Sequence, residues 1–551
     1  MTDPTKAPAV LVAGAGPVGL TVAHELARRG VAVRIVERAK GPATTSRATA
    51  THARTLEIFD QMGVLPRLLH RGQRVVHFSL HMRGRRLVRF DTNYADLPTR
   101  FPFSLMVDQV ITEEVLRQSL AELGVPVEWD TELQRFEPSE DGVSVSLGRG
   151  DGSVEQLDVP WLVGADGARS TVRKQLGLRL LGDTTQTWMN ADVVIDADLQ
   201  RNSNHLLHTG KGTILLVPFP DPGKWRAVDT VDVSDAEDWE LVRARLARKI
   251  SLALRRPVEV ATPTWVSVFT VQQRMIQQMR VGRCFVAGDA AHVHSPASGQ
   301  GMNTGIQDGY NLAWKLADVV RGYAAEELLD SYSAERVPIG KTLLGSTRTA
   351  TALVALRTAL APVLIPVGLG LLNRLKPVKR KIEGKIIRGF CGLALDYAGS
   401  PLSGDSAAER GALPSGHRVG CTSGMERDHT GWGELVAQLR DPRWTLLAFT
   451  DGTGSRRLLE ELDARYGDAV ALRTVAPVGV DGAGPNPLAD ADGALRRALG
   501  APSGGYALIR PDGYLAGTGP LEDLERTTAL LRGFGLVPNG REVAQADRGT
   551  P

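Results

Sequence analysis

The segment that most restricts the fold of this chain is its first. A short apolar run, Ala9–Ala13, is followed by GAGPVG, by a helical stretch to Arg29, and by a second run, VAVRIVE, ending at Glu37. The order strand, glycine turn, helix, strand gives each glycine a task. Gly14 permits the tight turn, Gly16 lets backbone approach a pyrophosphate, and Gly19 lets helix pack closely on strand. Pro17 lies in the same turn. Glu37 falls roughly 20 residues beyond the glycines, where a carboxylate can accept both ribose hydroxyls, with Arg38 beside it. That carboxylate would repel a 2′-phosphate, so the site suits the adenosine of FAD or NAD better than that of NADP. A Rossmann-like α/β unit is expected here.

Size and charge narrow the rest. A chain of 551 residues is too long for one core, so about two or three domains are expected. Lys and Arg number 65 against 62 Asp and Glu, a balance that gives nucleic acid no basic surface to bind. Cys284, Cys391 and Cys421 are far apart, without CxxC or metal-ligand spacing, so neither a disulfide framework nor a metal site is expected. Ala7–Leu26 imitates an export signal, but only Lys6 precedes it as a cation and regularly spaced glycines interrupt it. The expected location is the cytoplasm.

Three further stretches stand out. SRATATHARTLEIFDQMG, Ser46–Gly63, ends in an amphipathic helix with Leu56, Phe59 and Met62 on one face. WLVGADGARSTVR, Trp161–Arg173, brings Asp166 and Gly167 to a turn, with Arg169 and Arg173 at the start of the next helix, where cations can hold phosphate. Asp166 could equally cap that helix. GRCFVAGDAAHVHSPASGQGMNTGIQDGYNLAWKL, Gly282–Leu316, reads as a strand, a loop of small residues and a helix, with Gly288 and Asp289 at the strand's carboxyl end. Its glycines let a flat ligand touch backbone, and the helix start favours partial negative charge.

Together, in this order, these motifs resemble the single-component FAD-dependent aromatic monooxygenases of the para-hydroxybenzoate hydroxylase family, across residues 9 to 317. The resemblance implies non-covalent FAD, with Arg47, and less directly His52, on a loop beside the flavin ring. It implies Gln109 at the ribityl chain, although a residue opening a helix can also bond its own backbone. Asp166 would serve FAD, and Arg169 and Arg173 a transient NAD(P)H. Gly288 and Asp289 would meet ribityl hydroxyls, and Pro296 would line the approach to the reactive ring. Gly299, Gly301, Met302 and Asn303 would bring backbone to the flavin pyrimidine. No catalytic side chain is implied beyond Arg47 and Pro296 near the ring. No second GxGxxG occurs, so NADPH, favoured over NADH, would dock transiently.

Between Leu178 and Met279, β-branched, partly alternating segments read as a sheet, which in this family faces the substrate beneath the flavin. The family's archetype holds its phenol with tyrosines, yet none of the eight tyrosines here lies in this segment. His205, His208 or Arg226 could take that place, unless they simply face water.

Thr358–Leu372 is uncharged and mostly apolar, and is followed by a basic run between Arg374 and Arg388. It is too short to span a membrane and contains Pro362 and Pro366. A lid over an apolar pocket or a subunit contact in a homodimer is expected, with peripheral membrane attachment as the alternative. From Gly411 a βαβαββα order with an Asp512–Gly513 hairpin resembles a thioredoxin-like domain lacking CxxC. The expected organisation is an FAD-binding domain at 1–177 with 280–345, a substrate sheet at 178–279, a connector at 346–405 and a thioredoxin-like domain at 411–540.

The expected activity is insertion of one oxygen atom from O2 into a bulky polycyclic aromatic substrate of polyketide type, through a flavin hydroperoxide. Baeyer–Villiger oxygenation and inactivation of an aromatic antibiotic would use the same chemistry. A flavin halogenase would require WxWxIP, which is missing. A non-enzymatic FAD-bearing module would have no use for NAD(P)H.

Overall fold

The computed structural model describes residues 7–46, 48–91, 98–209, 212–294, 299–355, 375–404, 411–449, 456–476, 487–490, 492–521 and 523–539. The expected roles of Arg47 and Pro296, and the apolar run Thr358–Leu372, lie outside them.

The first layer is a six-stranded sheet, ordered Arg280–Val281, Cys284–Val286, Trp161–Gly164, Val10–Ala13, Val33–Val36, Val127–Glu128. Its strands are parallel except for the edge pair Arg280–Val281 and Cys284–Val286. Val10–Ala13 is buried throughout, as a central strand covered on both faces must be. Ala13 registers with Gly164, and Gly164 with Val286. The three glycine- and aspartate-bearing turns therefore leave one edge of the sheet side by side, where open α/β sheets bind ligands.

The helix Pro17–Arg28 lies against the long helix Gln300–Val320, and small residues make the approach close. A methyl group added at Gly305 would come within 2.7 Å of the Val18 side chain, and one at Gly309 within 3.1 Å of the Val18 carbonyl. Both helices start at the same sheet edge, so both N-termini point at it.

A nine-stranded sheet forms the second body. Leu181–Asp196, Ser203–His208, Thr213–Pro218, Lys224–Asp229 and Trp265–Met275 supply its centre. It reaches beyond residues 178–279: His77–Met82 pairs in parallel with Ser203–His208, Arg85–Asp91 extends it, and His292–Val293 closes the opposite edge. Parallel pairing across so long a separation has no local signature, which is why periodicity placed the sheet but not its width. One face packs under the helix Trp239–Leu254 through Met189, Ala191, Leu207, Leu216 and Trp225. The other carries Leu80, Trp188, Leu206, Leu215 and Val228, flanked by Phe78, Phe90 and Phe269.

The last body has a five-stranded sheet ordered Leu488–Ala489, Val470–Ala476, Trp444–Phe449, Gly505–Ile509, Leu515–Pro520. The first three strands are parallel and the last two antiparallel. Leu488–Ala489 is the edge strand, and the helix after it spans Ala494–Leu499. The Asp490 carboxylate accepts the N–H groups of Leu495 and Arg496 at 3.0 Å, starting the helix late. This sheet rests on the long helix Gln300–Val320, with the rings of Trp444 and Trp314 edge to face at 5.4 Å.

Candidate active site

The N-terminal turn has the geometry that its glycines require. Gly14 has φ of +103°, and a methyl group there would lie 2.4 Å from the Ala165 carbonyl oxygen. One at Gly19 would lie 1.9 Å from the Gly14 oxygen. At Gly16 nothing lies within 4 Å, so the turn is open on that side alone. Glu37 accepts the N–H of Ala15 at 2.9 Å and of Ala39 at 3.0 Å. A carboxylate has about four acceptor sites, so capacity for ribose hydroxyls remains. Pro17 is buried at the helix start and Arg38 is exposed.

In the middle turn, Asp166 caps the helix Thr171–Gln175, accepting Thr171 N–H at 2.6 Å and Val172 N–H at 3.2 Å, alongside Ser170 as N-cap. Its other oxygen is buried without a partner, an orphan that a ligand hydroxyl would satisfy. Arg169 is exposed. Arg173 is 6% exposed and donates to the Ala290 carbonyl, tying this turn to the third one instead of presenting its charge to solvent.

At the third turn, Gly288 is buried and donates its N–H to Asp308 on the long helix, while Asp289 is exposed at the strand's end. Asp308 also meets His292 at 2.6 Å and Arg336 at 2.6 Å. Burial works against its charge, but Arg336 and His292 outweigh it and hold its pKa at about 2. Gly299, with φ of +63°, is the N-cap of the long helix, and Gly301 faces open space. Met302 is half-buried. The Asn303 amide donates to Ala50 and Gly299 carbonyls at 2.8 and 2.7 Å and accepts the His52 N–H at 2.8 Å.

The loop preceding His52 is pinned from three sides. Gln109 accepts the Ala48 N–H at 3.1 Å and donates to Glu113 at 2.8 Å. Ser46 accepts the Val110 N–H at 3.3 Å through its hydroxyl, and its carbonyl accepts from Arg226 at 3.0 Å. Arg226 is 3% exposed and forms a two-pronged pair with Asp192 at 2.7 and 2.8 Å, so it is committed to the sheet and the loop and does not face water. Asp192 carries no motif of its own; only the register pairing it with Arg226 brings it in.

Strand alternation separates the two histidine candidates. His208 lies on the face that carries Leu206 and Arg226. His205 lies on the opposite face, against Trp225 and beneath the helix Trp239–Leu254, bonded to His81 and to the Gln200 carbonyl. A period of two puts residues 205 and 208 on opposite faces, so at most one of them can meet a ligand lying on the sheet. Burial lowers the pKa of His208, with Arg83 adding to the effect.

The three turns, the two helix N-termini, the open sides of Gly16 and Gly301 and the orphaned Asp166 oxygen fit a long dinucleotide lying along one sheet edge. A model of the FAD binding domain family matches residues 7–347. The chain is 62% identical to 6-methylpretetramide 4-monooxygenase of Streptomyces rimosus over 550 residues, 99% of this chain and 97% of that one. The crystal structure of the flavin-dependent monooxygenase PieE with FAD and substrate superposes with a TM-score of 0.78 at 25% identity, covering 97% of this chain and all of that one. OxyS anhydrotetracycline hydroxylase, also from Streptomyces rimosus, gives 0.71 at 29% identity over the same share of this chain. The chain belongs to the FAD-binding family, and it is a flavin-dependent monooxygenase.

Proposed function

We propose that the chain hydroxylates a fused-ring aromatic polyketide, with NADPH as electron donor and 6-methylpretetramide as the first compound to test. The observation that carries this reading is the apolar face of the nine-stranded sheet. Phe78, Phe90 and Phe269, half-buried around the fully buried Trp188, line the same face as the Arg226–Asp192 pair, which holds the Ser46 loop. A flat polycycle suits such an aromatic surface. FAD, when bound and reduced, supplies the activation of oxygen.

The chain's own residues bind and orient. Glu37 takes the adenosine ribose, the Gly14–Gly19 turn the pyrophosphate, and Asp289 with the orphaned Asp166 oxygen the ribityl side. Gly301, Met302 and Asn303 bring backbone N–H groups of a helix start to the flavin pyrimidine. His208, on the same face and with its pKa lowered by burial, is our candidate for the group that takes a phenolic proton. The exposed Arg169 is the better of the two arginines for meeting NADPH. The C-terminal body is thioredoxin-like in strand order, and without CxxC it performs no disulfide exchange.

The test is the mass of the product formed from 6-methylpretetramide, NADPH and labelled O2. Gain of one labelled oxygen with an intact carbon skeleton supports hydroxylation; a ring-opened or lactone product favours Baeyer–Villiger oxygenation. Mixing with NADPH in a stopped-flow instrument, with and without substrate, should bleach the flavin absorbance. Absence of bleaching in both cases would sink the monooxygenase mechanism as proposed.

A further inference from the structure

The hairpin turn Arg510–Tyr514 of the C-terminal body is buried inside the FAD-binding unit. Arg510 is 1% exposed and Asp512 2%. Arg510 donates to both oxygens of Glu335, at 2.6 and 3.0 Å, and both oxygens of Asp512, at 3.0 and 2.6 Å. Lys315, fully buried, donates to Glu335 at 2.7 Å. Asp512 also accepts from Trp314 at 3.2 Å and Asn311 at 3.3 Å, and its carbonyl accepts from Arg54 at 2.6 Å. Arg54 in turn lies 5.1 Å from the centre of the Tyr514 ring.

Such a network is costly to desolvate and holds only when every member is paired, which makes its geometry rigid. A loose tether would use exposed pairs instead. A residual cavity of about 10 Å³ lies within the junction, barely room for one water, so the turn is closely packed.

Besides Glu335 on the helix Asp330–Ala355, the turn touches two helices that run to the site. Arg54 belongs to Ala53–Gln61, which begins directly after His52; Asn311, Trp314 and Lys315 belong to Gln300–Val320, which begins just before Asn303. His52 and Asn303 are joined by the hydrogen bond that closes the flavin end of the site. We infer that the Arg510–Tyr514 turn is a positioning wedge, setting the separation of these helices and so the geometry of the flavin end; Arg54 transmits it. This rests on the assignment of His52 and Asn303 to the flavin end.

Arg54→Met removes the link to the Asp512 carbonyl while Glu57 keeps its partner Arg418, 2.9 Å away. Expected is a rise of about tenfold or more in the FAD dissociation constant, read by flavin fluorescence, the size of one lost charged hydrogen bond. Arg54→Lys should recover part of it and is read by the same criteria if the methionine variant does not fold. Leu499→Ala, in the separate core of the C-terminal body, should lower Tm without weakening FAD. An unchanged FAD dissociation constant in the Arg54 variants overturns the wedge. Equal weakening by Leu499→Ala at equal loss of Tm overturns it too, since general instability would then suffice. Asn303→Ala separates the two premises. If it loses FAD while the Arg54 variants do not, the wedge alone fails; if it too retains FAD, the flavin-end assignment fails.

Discussion

The backbone N–H of His52 donates to the side-chain oxygen of Asn303 at 2.8 Å, joining segments 251 residues apart. The same amide gives its hydrogens to the carbonyls of Ala50 and Gly299. One side chain thus closes the loop before Ala53 onto the start of the long helix. Its identity follows from its inventory: only a carboxamide offers one acceptor and two donors in one plane.

Asn303→Ala therefore leaves a buried N–H and two carbonyls short of a partner. The expected loss is about 1–3 kcal/mol for the unpaired N–H alone. Thermal unfolding of the apoprotein should register this, and FAD titration should show weaker binding. Asn303→Asp keeps the acceptor but sets a carboxylate oxygen against the Ala50 and Gly299 carbonyls, so it should cost at least as much as alanine.

Gly19→Ala and Gly16→Ala should part company. At Gly19 the new methyl group meets the Gly14 carbonyl at 1.9 Å, so helix and strand must separate, at about 1–3 kcal/mol or more. At Gly16 nothing lies within 4 Å, and the protein should fold normally. Its methyl group obstructs only what approaches from outside. Circular dichroism should match the parent for Gly16→Ala, while FAD retention through gel filtration falls in both.

Asp289 is exposed, so Asp289→Ala should change Tm little. If Asp289 holds ribityl hydroxyls, the variant should purify colourless or lose FAD on dialysis. A yellow, fully loaded protein would remove Asp289 from the site.

The buried pair His81–His205 predicts a pH dependence of the sheet. His205 Nε2 must donate to the Gln200 carbonyl at 2.8 Å, so its Nδ1 accepts from His81 Nε2 at 3.0 Å. Burial lowers both pKa values, that of His81 to about 4, with repulsion from His205 adding to it. The unfolded chain takes up protons near the ordinary value of 6.5 while the folded pair stays neutral. This stability is present above pH 6.5 and is lost as pH falls toward 4. Across that window His81 contributes a slope approaching about 1.4 kcal/mol per pH unit, and His205 acts in the same direction. Urea unfolding at pH 7 and pH 5 should show a smaller difference for His81→Gln than for the parent; an equal difference would dissociate the pair from the effect.

The nucleotide turn was legible because its requirements are local. A tight turn, a close helix and an acid at the end of the next strand are matters of spacing along one chain, and Gly14, Gly19 and Glu37 satisfy them within 37 residues. The aspartates at strand ends were legible for the same reason. What only the tertiary structure decided is which groups meet across elements. The Ser46 carbonyl meets Arg226, Arg54 meets the Asp512 carbonyl, and Glu335 meets Arg510 across 175 residues. It also decided which strand face each histidine occupies, placing His205 against Trp225 beneath the helix Trp239–Leu254. Periodicity along a strand shows that faces alternate, but which face turns toward the ligand is set by the helix that covers the other one, and that choice is made in packing.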